Sequence, residues 1–149
     1  MEKRQKDILK NFTIVIVITA IAVAAMTEFK NWVNRSEAMR AMEQLGRIAL
    51  QYRKEQGCVP SESYVDNIKS SLEGSVRLGD IHYRARWLDF ESPPDEILAY
   101  SLKGYHSLLF GQGYVVLRLN GQVEWMNTSE FETLLAKQQS PEEIQMLSH

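Results

Sequence analysis

The sequence predicts an α+β chain: a long N-terminal helix, transmembrane in its first half, whose second half packs on a small antiparallel sheet followed by short C-terminal helices. Three observations carry this. Phe12 to Met26 reads FTIVIVITAIAVAAM, with Thr13 and Thr19 its only non-apolar residues, and no charge occurs between Lys10 and Glu28. From Trp32 to Tyr52, apolar and small residues recur every three or four positions, the period of one helix face. Beyond Asp80 the apolar residues fall in short runs bounded by Pro, Gly and Asn, which reads as strands and turns. At 149 residues the chain has room for one small domain and an anchor.

The segment 1–11 is basic, with Lys3, Arg4, Lys6 and Lys10 against Glu2 and Asp7. The positive-inside rule keeps such a segment in the cytoplasm and sends the rest across the membrane. The fifteen residues of Phe12–Met26 rise roughly 22 Å as a helix, against a hydrocarbon core of roughly 30 Å. Ile8 and Leu9 lengthen the span on one side, with Lys10 reaching back to the headgroups. Phe29, Trp32 and Val33 suit the aromatic belt on the other, so the span is assigned to 12–33. A buried core helix would need an apolar shell that no other segment supplies. The competing expectation is a cleavable signal peptide, for which Ala22-Val23-Ala24 offers a small-x-small site.

The segment 34–56 continues the helix. Trp32, Ser36, Met39, Met42, Gly46, Ala49 and Tyr52 form its apolar stripe, widened by Leu45 and Ile48. Met39, Met42 and Ala49 are expected under the sheet, with Arg40, Glu43 and Arg47 in water. Gly57 and Pro60 end the helix. The segment 57–149 is then a small extracytoplasmic α+β domain. Tyr64–Leu72 suggests a short helix, Asp80–Trp87 an alternating strand with His82, Arg84 and Arg86 on its polar side, and Ile97–Ser101 a second strand. Ser92-Pro93-Pro94-Asp95 is a turn. Gly104–Gly113 holds an apolar triplet, Leu108 to Phe110.

Tyr114–Asn127 is a hairpin around Asn120-Gly121. Asn-Gly ordinarily suggests a two-residue type I′ loop. Parity opposes that here, because it would mix Val115 and Leu117 with Gln122 and Glu124 on one face. A three-residue loop pairs 117 with 123. It gathers Val115, Leu117, Val123 and Trp125 on one face, and needs Gly121 in the left-handed conformation. Two capping boxes follow: Ser129 with Glu132, and Ser140 with Glu143 behind which Pro141 takes the first helical position.

Beyond residue 27 the chain carries 13 Lys and Arg against 17 Asp and Glu, a balance that attracts neither nucleic acid nor anionic lipid. Cys58 is the sole cysteine, which excludes an internal disulfide, and its expected place is a buried one. His82, His106 and His149 have no metal-ligand spacing, and no phosphate-cradle or nucleophile-elbow motif occurs. Asp95-Glu96 are adjacent on the chain and point apart on a strand, while Glu142-Glu143 suit a helix N-terminus. The expectation is therefore no catalytic residue, no metal and no cofactor.

Three stretches carry a family resemblance. Lys10-Asn11-Phe12-Thr13-Ile14 resembles the Lys-Gly-Phe-Thr-Leu start of the prepilin helix. Leu45–Pro60 (LGRIALQYRKEQGCVP) resembles the end of the long pilin helix. Tyr114–Leu135 is similar to the C-terminal hairpin of prepilin-like proteins, abundant in planctomycetes, that carry a His followed by Asp-Gly-His-Val-Glu. The chain thus resembles type IV pilins and type II secretion pseudopilins. The resemblance implies a single-pass inner-membrane protein with membrane lipid and other pilin-like subunits as partners, and a processing site at Asn11 and Phe12. Asn11 stands where the processing motif has Gly, Ile16 where pilins have Glu, and Asn120 and Gln122 where the hairpin motif has Asp and His. Those departures point to an uncleaved, accessory member. The alternative is a tethered or secreted binding domain that joins no filament.

Overall fold

The computed structural model describes residues 2–104 and 111–148. Helix α1 runs unbroken from Lys3 to Gln56. Its 54 residues span about 80 Å. No proline interrupts it, and it stops where Gly57, with φ 76°, turns left-handed and donates its N–H to the Arg53 carbonyl at 2.8 Å. Then come α2 (Glu62–Lys69), capped by the Ser61 hydroxyl, and one turn of helix α3 (Ser75–Leu78).

Four antiparallel strands follow in the order β1 (His82–Tyr83), β2 (Ile97–Lys103), β3 (Gly113–Arg118) and β4 (Val123–Asn127). The sheet is a meander, each strand pairing with the next in sequence. Helices α4 (Thr128–Gln138) and α5 (Pro141–Leu147) close the chain. The result is the expected α+β arrangement of a long helix on a small antiparallel sheet.

One sheet face lies on α1. Ala99, Val115, Leu117 and Leu119 pack there with Ala38, Ala41, Met42, Leu45 and Ala49, and Val123 and Trp125 join from β4. The hairpin has the register required by parity: Leu117 pairs with Val123 and Val115 with Trp125. Arg118 accepts the Gly121 N–H and donates its own to Gln122, each at 2.9 Å, and Gly121 has φ 86°. Gly46 makes the close approach possible, since a Cβ there would lie 2.8 Å from Leu117 Cδ1. A bulge at Leu98, between Ile97 and Ala99, turns one extra β2 residue into this core.

The other face packs on α4. Ile97, Tyr100, Val116 and Met126 surround Phe131, whose ring stacks on Tyr114 with centroids 3.8 Å apart. The two cores give three layers, α1, sheet and α4.

Several expectations need correction. The buried stripe of α1 is turned from the expected one: Ala38 and Ala41 are fully buried, Met39 is half-buried and Trp32 is 55% exposed. Helix α1 is packed against both the sheet and α3, and α3 docks so closely that a Cβ on Gly74 would lie 2.8 Å from the Glu37 carbonyl oxygen. Small alanines fit that contact. Met42 and Ala49 are buried, and Arg40, Glu43 and Arg47 are exposed, as expected. Asp80–Trp87 is not one strand, because pairing stops at Tyr83 and a 3₁₀ turn takes Ala85–Trp87. Helix α4 is capped by Asn127, whose Oδ1 accepts the Glu130 N–H at 2.9 Å, two residues before Ser129. Cys58 is exposed, because it follows the glycine that swings the chain away from α1. The triplet Leu108 to Phe110 lies outside the described residues.

Candidate functional site

Nearly half of α1 projects beyond the domain. The most apolar 18-residue window of the helix has mean hydropathy 2.2 and no residue buried against the rest of the chain. This helix is long and apolar enough to cross a membrane. Phe12, Ile14, Ile16, Val17, Ile18 and Ile21, which point to every side of the helix, are all exposed, so the apolar surface continues all the way round. The few hydroxyls on it are satisfied within the helix. Thr13, Thr19 and Thr27 each donate to the carbonyl four residues back, at 2.9, 2.8 and 3.1 Å. A segment of this kind leaves no polar group asking for water. At its end Phe29 and Trp32 stack, 6.0 Å between centroids, where an aromatic belt would lie.

Asn11 and Phe12, the residues of the expected processing site, sit inside this uninterrupted helix, and both are exposed. Asn120 and Gly121 lie at the opposite end of the molecule. A Cβ on Gly121 would reach to 2.4 Å from Leu50 Cδ1, some 24 residues beyond Met26 along α1, roughly 36 Å. Their role is to shape the turn: Asn120 Oδ1 accepts the Gln122 N–H at 2.9 Å. The structure does not bring these two pairs together.

A buried charge in the domain has no signal in the local sequence pattern. Arg84, expected on the polar side of a strand, is 3% exposed. Its Nε donates to Glu143 Oε1 at 2.7 Å and its Nη2 to Oε2 at 2.9 Å. Nη1 donates to the Ile97 carbonyl at 2.8 Å and Nη2 also to the Gln138 carbonyl at 3.3 Å. Glu96 approaches Nη2 to 3.7 Å. Glu143 was expected merely to favour a helix N-terminus. Its N–H does donate to the capping Ser140 Oγ at 3.2 Å, but its carboxylate turns inward and is 1% exposed. One guanidinium thus ties α5, the end of α4 and the start of β2 together.

Beside this cluster is a cleft of about 270 Å³, walled by His82, Trp87, Tyr100, Met146 and Leu147. Burial raises the Glu96 carboxyl above its ordinary pKa, and Glu143 adds to that while Arg84 opposes it. Burial also raises the Tyr100 phenol, and Glu143 adds to it. His82 stacks on Tyr100 at 5.0 Å. Among the described residues no nucleophile is paired with a base here, and the guanidinium is already committed to protein acceptors. The arrangement is a clamp. His106 and His149 lie outside the described residues, and among the described residues no three His, Cys, Asp or Glu side chains are placed to hold a metal ion.

No protein-family model matches this chain, and neither does any curated protein or solved structure.

Proposed function

We propose that the protein is a single-pass, membrane-anchored and non-enzymatic envelope protein of pilin-like build, with its N-terminus in the cytoplasm and residues 57–149 presented outside. The observation that carries this reading is the wholly exposed apolar half of α1, continuous with the half that forms the spine of the domain. Burying a large apolar side chain is worth about 1.5–3 kcal/mol. A dozen such residues from Ile8 to Phe29 lie uncovered by the rest of the chain, so lipid or neighbouring helices are needed to cover them. The basic segment 1–11 supplies the orientation.

Packing of such helices side by side is how pilin-like subunits associate, and other pilin-like subunits are the proposed protein partners. The second reading, a tethered binding domain outside any filament, is favoured by Asn11 and Ile16, which replace the Gly and Glu of the pilin pattern. The test is carbonate extraction of membranes from cells producing the full chain, followed by intact mass of the retained protein. Retention with the full-length mass is the expected result. A mass beginning at Phe12 would instead assign prepilin processing. Release into the supernatant, or a mass beginning at Ala25, would overturn the anchor.

A further inference from the structure

Where α1 leaves its apolar stretch, the domain turns a basic rim toward the same level. A cavity of about 400 Å³ has Thr27, Lys30 and Asn34 of α1 as one wall, and Val76, Arg77 and Lys103 as the other. Thr27 follows Met26 directly. On the helix rise, Lys30 lies about 6 Å and Asn34 about 12 Å beyond Met26. The headgroup layer on each side of a bilayer's hydrocarbon core is about 5–8 Å thick. Where the hydrocarbon core ends near Met26 and the rest of the span, to Val33, lies in the interface, Thr27 and Lys30 stand at headgroup depth and Asn34 just beyond it.

The side chains at the rim suit that layer. Val76 is 90% exposed, the most exposed large apolar side chain among the described residues, at the tip of the α3 turn. Lys30 is exposed and makes no ion pair with the described residues. Arg77 shares its charge with Glu37 at 3.2 Å. The Lys103 ammonium donates to the Arg77 carbonyl. Burial and the Arg77 guanidinium lower the Lys103 pKa, and Asp80 opposes them. Among the described residues Lys30, Arg77 and Lys103 line the cavity and no carboxylate does, while Glu28, Glu37 and Asp80 stand beside it and the domain as a whole is acidic.

We propose that this rim docks on the bilayer that carries the span, with Lys30, Arg77 and Lys103 taking anionic phospholipid phosphates and Val76 entering the interface. The inference rests on the anchor reading above. Docking at this point fixes the tilt of α1, and of the domain it carries, against the membrane surface. Attraction of this kind falls off within a Debye length of about 8–10 Å, so only groups at this level feel it strongly.

The test uses the full chain with Cys58→Ser, so that a single cysteine can carry an environment-sensitive fluorophore. Val76→Cys places it on the rim. Phe90→Cys places it at a residue 79% exposed in the turn next to Pro94, whose carbonyl accepts the Asn120 N–H at the far end of the domain. Both proteins are reconstituted into phosphatidylcholine vesicles with and without phosphatidylglycerol, containing headgroup-level spin-labelled lipid as quencher. The expected result is quenching at position 76 several-fold above that at position 90. It should be stronger with phosphatidylglycerol and reduced by Lys30→Gln or by high salt. Equal quenching at the two positions overturns the proposal, as does quenching indifferent to lipid charge and to Lys30→Gln. Carbonate extraction of the same vesicles separates the two readings. Protein that is retained with an unquenched rim keeps the anchor and loses the docking, whereas release overturns both.

Discussion

Arg84 and Glu143, 59 positions apart in the chain, meet as a two-point ion pair with distances of 2.7 and 2.9 Å and almost no exposure to water. Helix α5 buries no other residue. Its attachment therefore rests on a charge pair while Ile144, Met146 and Leu147 stay half exposed. Glu143→Ala should strand the guanidinium and cost about 3–5 kcal/mol. Replacing both partners, Arg84→Met with Glu143→Leu, should recover most of that loss. Thermal unfolding of the detergent-solubilised protein measures both. A Glu143→Ala protein as stable as the parent would show that the pair is dispensable.

Gly121→Val should destabilise the hairpin more than Asn120→Ser. Any Cβ at φ 86° is strained by about 1–2 kcal/mol, and this one also meets Leu50. Serine at 120 keeps a short oxygen acceptor near the Gln122 N–H and needs only ordinary turn dihedrals. A domain holding about 5–15 kcal/mol in total would report the difference as a clear drop in Tm for the valine variant alone.

Met42→Ala removes a fully buried side chain between α1 and the sheet, and should cost about 2–5 kcal/mol. Met39→Ala, at a half-buried position, should cost visibly less, and exposed Arg47→Ala should stay within about 0.5 kcal/mol of the parent. Chemical denaturation in micelles orders the three. A Met39 variant weaker than the Met42 variant would contradict the observed face of α1.

Glu96 predicts a pH dependence. Its native pKa is raised, chiefly by burial, so the folded chain holds this proton more tightly than the unfolded chain does. Above the unfolded carboxylate value, near 4.3, the unfolded chain has lost the proton while the folded chain still binds it. The contribution of this group to stability is thus present at low pH and is lost as pH rises toward the raised native value. Glu96→Gln removes that dependence. The Tm of Glu96→Gln minus that of the parent should therefore grow more positive from about pH 4 to neutrality. A difference that shrinks over this range would refute the assignment.

The parts that could be read from the sequence are those whose rules are local. Thr13 and Thr19 alone in a fifteen-residue apolar run, and parity across Asn120-Gly121, need only neighbours along the chain. Arg84 was beyond reach because its environment is made by Glu143, on a helix that returns from the far end of the chain. Its neighbours His82 and Arg86 keep to the exposed side, so alternation alone placed it with them. The α4 cap failed for the opposite reason, since Asn127 and Ser129 are both good caps and β4 runs directly into the helix. Ala38 and Ala41 are too small to mark a core by hydrophobicity, and only the tertiary packing of α1 with the sheet and with Leu72 and Leu78 makes them one.

Helix α1 also has a mechanical meaning. No glycine or proline interrupts it before Gly46, where it is already clamped beneath the sheet, so the stretch between the apolar half and the domain behaves as a stiff shaft. Inserting one alanine into that stretch, at about Asn31, would turn the sheet by about 100° relative to the apolar half and raise it by about 1.5 Å. Inserting four would lift it by about 6 Å with a net rotation of only about 40°. The azimuth at which the small domain faces its surroundings is therefore written in the number of residues between Met26 and Ala38, independently of what those residues are.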